Sequence, residues 1–165
     1  MASPTLQPAA QLIHRPADAG ATYYGPGDVY RFLVTGAETG GAYFAMEAIV
    51  PPGGGPPPHI HTNEDETFYV VEGRCDFLLG DTTTTAGAGD FVSVPRGAVH
   101  RFHNASDELA RLILTFTPAG IEKFFEECLE RAWDITQDCP DNLAEVGALY
   151  AEAGPRYGME FYPDA

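Results

Sequence analysis

Between residues 29 and 117, apolar and polar positions alternate in short runs that end on glycine, proline, asparagine or aspartate. Val29–Thr35 alternates, Gly36–Gly41 interrupts the pattern, and Ala42–Val50 resumes it. Beyond a stiff Pro51–Pro58 stretch, the same reading gives strands near 59–61, 66–72, 74–79, 82–85, 90–94, 98–103 and 109–117. Glu72-Gly73, Gly80-Asp81, Gly87–Gly89, Pro95–Gly97 and Ala105–Glu108 supply the turns between them. Many short strands at near-regular spacing predict a mainly β fold, a sandwich, barrel or jelly roll.

The period changes after Pro118. Ile121, Phe124, Phe125, Cys128, Leu129, Ala132 and Trp133 fall on one helical face, with Glu122, Lys123, Glu126, Glu127, Glu130 and Arg131 on the other. A second helix is expected to start with Asp141 as its N-cap and to run through Leu143, Val146, Leu149 and Tyr150 to Gly154. The tail Arg156–Ala165 is aromatic enough to dock on the rest of the fold. The chain thus divides into a flexible arm (1–20), a barrel (21–118) and a helical extension packed on it (119–165), with no internal repeat.

Composition removes several function classes. At 165 residues the chain fits one domain with a real core. A formal charge of −15 argues against nucleic acid and against anionic membrane surfaces as partners. Lys123 is the only lysine and lies on a charged helix face, which argues against Schiff-base chemistry. Ser3, Ser93 and Ser106 are the only serines, none in a G-x-S-x-G setting, and no phosphate-binding G-x-x-x-x-G-K-[ST] loop occurs. Cys75, Cys128 and Cys139 form no CxxC pair, and residues 1–12 carry no secretion signal, so a cytoplasmic location is expected.

The chemistry concentrates on histidine. In Pro56-Pro57-Pro58-His59-Ile60-His61 the two imidazoles are two residues apart, which on a strand puts them on one face. The prolines leave that segment little conformational freedom to lose. Glu66 opens the next strand across the turn, and His100 follows the sharp Pro95-Arg96-Gly97 turn. Three neutral imidazoles and one carboxylate suit one divalent transition metal: Mn, Fe, Co, Ni, Cu or Zn. A closed structural zinc site would more often use thiolates, and no cysteine is near in sequence. Glu64, Asp65 and Glu66 also read as a solvated acidic turn, from which spacing singles out Glu66. His14 reads as an exposed bystander, His103 as a surface histidine facing away from His100, and Asn104 as the residue tying the 105–108 bend.

Gly53, His59, His61, Glu66 and Gly73, followed by Gly89, Pro95, Gly97, His100 and Asn104, resemble the two sequence motifs of the cupin superfamily, with every motif position filled. The lead into His59 and the helical tail resemble single-domain bacterial cupins grouped with quercetin 2,3-dioxygenase. This resemblance implies a cupin jelly-roll barrel with two C-terminal helices and an internal metal on His59, His61, Glu66 and His100. It also implies a homodimer, expected here to use residues 20–50. The activity expected is a metal-dependent dioxygenase on a small aromatic or enolic, flavonol-like compound, with Glu66 as both ligand and catalytic proton acceptor. The alternatives are a non-oxidative isomerase, cyclase or decarboxylase on the same site, or a small-molecule-binding cupin without turnover. Phe44, Met46, Phe68, Phe77, Phe91, Phe102 and Phe116 are candidate pocket linings, with core packing as the competing role.

Overall fold

The computed structural model describes residues 12–140 and 142–162. Its strands are β1 (Thr22–Tyr24), β2 (Val29–Val34), β3 (Phe44–Val50), β4 (His59–His61), β5 (Asp65–Glu72), β6 (Arg74–Leu79), β7 (Thr82–Gly87), β8 (Phe91–Val94), β9 (His100–His103), β10 (Ala110–Thr117), β11 (Arg131–Ala132) and β12 (Met159–Phe161). Three helices accompany them: α1 (Gly36–Thr39), α2 (Glu122–Cys128) and α3 (Leu143–Ala153), the last running into a 3-10 turn at Gly154–Tyr157. No helix among the described residues is long and apolar enough to cross a membrane.

The strands form two antiparallel sheets. One has seven strands in the order β11-β1-β2-β3-β10-β5-β8, the other five in the order β12-β4-β9-β6-β7. The protein is therefore mainly β, a jelly roll with helices at its C-terminal end, as the strand pattern predicted. The alternation that predicted the strands also sorts their faces. In β10, Ala110, Leu112, Leu114 and Phe116 are buried, while the residues between them are half-buried. Phe68, Phe77 and Phe102 meet across the two sheets, with ring centroids 5.0 and 5.7 Å from Phe68. Aromatic pairs at such distances add stability beyond simple area burial.

Corners are set by backbone demands. Gly73 sits at φ +70°, and a Cβ there would lie 2.5 Å from the Leu109 carbonyl oxygen, so only glycine fits between β5 and β6. Asn104 ends β9 fully buried. Its amide donates to the carbonyls of Val50 (2.8 Å) and Glu108 (2.7 Å), and its oxygen accepts from the Ser106 backbone (3.0 Å). It ties the 105–108 bend and also anchors the end of β3.

The helical extension departs from the periodicity reading. α2 ends at Cys128, and Leu129 is already extended. Arg131 and Ala132 instead pair with Tyr23 and Thr22 of β1, and the Glu130 carbonyl accepts from the Tyr24 backbone. Leu129 and Ala132 are buried all the same, Ala132 in the strand pair with Thr22, and Trp133 is 94% exposed. Glu122, expected on the solvent face, is buried because its carboxylate accepts from the backbone of Gly36 and Gly120 (2.9 and 2.8 Å). The expected cap Asp141 lies outside the described residues; Asn142 precedes α3 without a capping hydrogen bond.

Candidate metal centre

His59 and His100 are direct cross-strand partners on β4 and β9. His61 shares the face of His59 because strand side chains alternate. Glu66 comes from the opposite sheet, on β5, where it pairs with Phe116 of β10 and Val94 of β8. The four side chains therefore meet between the sheets. All are buried, and one potential donor atom from each lies within 4.8 Å of the others. Two donors across an ion at about 2.2 Å would stand about 4.4 Å apart, so a few tenths of an ångström of adjustment suffices.

The tautomers also fit an ion. The Nδ1 atoms of His59 and His100 contact the carbonyls of Pro57 and Ala98 at 3.0 Å each, which leaves Nε2 free to ligate. Such outer hydrogen bonds orient metal-binding imidazoles. His100 Nε2 and His61 Nε2 instead face Glu66 Oε2, at 2.8 and 3.4 Å.

Burial and mutual charge shape the protonation of the cluster. Burial alone pushes the Glu66 carboxyl upward, but hydrogen bonds with His100 and His61 outweigh it and hold the group well below the usual carboxylate range. Burial, aided by His61 and His100, brings His59 down to about 3, so it stays a neutral imidazole. Burial opposes a charged His100, yet its bond to Glu66 raises it above the ordinary value. A metal arriving here must displace the His100 proton, which couples binding to pH.

The surroundings are apolar. The cavity at the cluster is about 20 Å³ and is lined by Met46, Phe102, Leu114 and Phe116 from the barrel, with Phe125, Tyr150, Met159 and Phe161 from the extension. That is room for about one water. Tyr150 and Phe161 also line a groove of about 840 Å³ floored by Gly53–Gly55, Pro51, Pro52 and Pro57. Of the candidate linings, Met46, Phe102 and Phe116 face the cavity. Phe44, Phe68 and Phe77 are core, and Phe91 is 64% exposed on the outer face of β8.

The structure also sorts the remaining polar residues. Asp65 pairs with Arg96 on the surface (2.9 Å), as a solvated turn predicts. Glu64 does not behave so: it is only 3% exposed, and burial pushes its carboxyl upward. His103 contacts the Gly54 carbonyl (3.1 Å) outside the cluster, and His14 is exposed. The cavity walls from the extension were missed in the sequence, although Met159-Glu160-Phe161 does alternate. On β12, Met159 pairs with His61 and Phe161 with His59, and the Phe161 ring lies 5.8 Å from the His59 ring.

Comparison with known proteins agrees with this geometry. A family model described as the cupin domain matches residues 46–116, the stretch that carries all four donors. Protein SchB from Streptomyces halstedii is 30% identical over 92 residues, 56% of this chain and 67% of that protein. A quercetin 2,3-dioxygenase from Aspergillus japonicus is 31% identical over 115 residues, 66% of this chain and 33% of that enzyme. The structure of an RmlC-like cupin from Shewanella frigidimarina superposes with a TM-score of 0.58 at 21% identity, over 69% of this chain and 96% of that one, a likeness of fold alone. The matches span about half the length of several other curated relatives. The protein belongs to the cupin family, and its buried three-histidine, one-carboxylate cluster is a possible metal site.

Proposed function

We propose that the protein is a metal-dependent dioxygenase acting on a small aromatic or enolic compound. The observation that carries this reading is the placement of His59, His61, His100 and Glu66 at a buried, aromatic-lined cavity. The relative named quercetin 2,3-dioxygenase supports it. These four residues would hold one divalent transition metal, and the ion supplies Lewis acidity and redox chemistry when bound.

The chain's own residues supply the rest. Phe116, Phe125, Met159 and Phe161 exclude water, which strengthens every electrostatic interaction inside. Glu66 is ionised and lies next to the space a substrate hydroxyl would enter, so its Oε2 can exchange the His100 contact for that proton. A cavity of about 20 Å³ is too small for an aromatic ring system. Substrate would therefore enter from the groove by displacing Tyr150 and Phe161, the wall that groove and cavity share.

The test is metal content and oxygen uptake on one preparation, screened across flavonols and other enols. Glu66→Gln should keep metal on three histidines but lower the rate per bound metal by roughly a hundred- to ten-thousand-fold, as expected for a lost general base. An unchanged rate per metal rejects the proton-acceptor role. Turnover without oxygen uptake, fully restored by zinc, would point to the isomerase, cyclase or decarboxylase reading.

A further inference from the structure

An imidazole that binds metal through Nε2 carries its proton on Nδ1, and that proton needs an acceptor. His59 and His100 use the carbonyl two residues earlier, at 3.0 Å each. His61 has no such bond. Its Nδ1 is buried without a hydrogen-bond partner, and so is Glu64 Oε2. These two orphaned atoms face each other at 3.8 Å. That is too long for a hydrogen bond, and a buried polar atom left unmatched calls for an explanation.

Among the described residues no other side chain hydrogen-bonds Glu64, whose carboxylate otherwise meets only its own backbone N–H. The nearby guanidinium of Arg96 is taken by Asp65, to which it donates from Nε and Nη2 at 3.1 and 2.9 Å. The turn that carries Glu64 is pinned on both sides. Gly97 donates to the His61 carbonyl (2.8 Å), Thr62 donates to the Gly158 carbonyl (2.8 Å), and Asn63 donates to that of Tyr157 (3.1 Å). A carboxylate held this firmly beside an unsatisfied imidazole nitrogen has one evident role.

We propose that Glu64 is a positioning residue: closing from 3.8 Å, its carboxylate accepts the Nδ1 proton of His61 and fixes the tautomer of that ring. The proposal rests on the metal reading above. It makes the centre asymmetric, with two imidazoles braced by backbone carbonyls and one by a negative charge.

The test uses the full chain loaded with zinc, which is diamagnetic. Zinc affinity is measured by chelator competition, and the imidazole Nδ1 protons are followed by nitrogen-correlated NMR. Glu64→Ala should weaken zinc binding about 10- to 100-fold and remove the His61 Nδ1–H signal, while those of His59 and His100 persist. Glu64→Gln retains an oxygen acceptor, so it should restore most of the affinity yet move the His61 signal upfield. Asp65→Asn, at the exposed neighbour, should change neither. Unaltered affinity and an unmoved His61 signal in folded Glu64→Ala or Glu64→Gln overturn the proposal. A wild-type chain that binds no zinc or other divalent transition metal overturns the metal reading instead, and this assignment with it.

Discussion

Asp28 lies in the turn between β1 and β2, fully buried, with no cation beside it among the described residues. Its oxygens accept from the Tyr30 hydroxyl (2.9 Å) and the Gly55 backbone (3.2 Å), so it braces the glycine loop leading into His59 and His61. Burial dominates both bonds and raises the carboxyl from 3.8 to about 7. Tyr30, Tyr150, Cys75 and Cys139, which feel its charge, are uncharged groups whose own values are pushed up. The folded state therefore keeps a proton that the unfolded chain releases. The stability Asp28 contributes is fully present below 3.8 and is lost as pH rises through about 7. A shift of about three units corresponds to about 4 kcal/mol across that window. Asp28→Asn keeps the shape and can satisfy both partners, but it cannot ionise. Urea unfolding of chelator-treated wild type and variant, followed by far-UV circular dichroism, gives the difference in stability at each pH. His59, held near 3 in the fold, stabilises in the opposite direction as pH rises, but equally in both proteins, so it cancels. The variant should gain on the wild type by up to about 4 kcal/mol between about pH 4 and pH 8. A difference that stays flat across this range refutes the argument.

Two further outcomes test the fold. Asn104→Ala takes its partner from the Val50 carbonyl and the Ser106 amide and leaves the Glu108 carbonyl only the Ser106 hydroxyl, and should cost about 3 kcal/mol in denaturant unfolding; a loss below about 1 kcal/mol would mean that water replaces the side chain. Trp133 is the only tryptophan and 94% exposed, so its emission should match indole in water and be fully quenched by iodide; a blue-shifted, protected emission would return it to the helical core stripe.

The metal-site candidates were legible because they depend on local rules. A His-x-His pair on a strand must share a face, and a Pro-x-Gly turn must feed the strand that carries His100. The strands were legible for the same reason, since period two survives in β5 and β10 of one sheet and in β6 and β9 of the other. Glu64 was not legible. Three consecutive acids look solvated, and only the tertiary placement of the turn against residues 157 and 158 buries the first of them. The end of α2 failed for a different reason. Leu129 and Ala132 satisfy a helical spacing, but a free edge on β1 offers backbone hydrogen bonds that the short remaining helix could not match. β12 is three residues long, and its brief Met159-Glu160-Phe161 alternation has no flanking turn pattern or histidine pair to mark it as a strand.

The missed elements are the ones that close the site. Without β12, β4 would pair only with β9 and would be an edge strand carrying two of the four donors. Edge strands are the more mobile and more easily mispaired part of a sheet, whereas metal ligands need fixed geometry. β12 removes that edge in register with the histidines, and its Met159 and Phe161 then become cavity wall. The 3-10 turn before it holds the turn bearing Glu64. The extension thus braces the donors, carries the shared wall toward the groove and lies wholly outside residues 46–116, the stretch matched by the family model. The four candidate donors lie inside the stretch matched by the cupin model, while part of the wall above them comes from residues outside it. If the protein turns over a substrate, as proposed above, its selectivity is to be sought in Phe125, Tyr150, Met159 and Phe161 more than in the four site residues themselves.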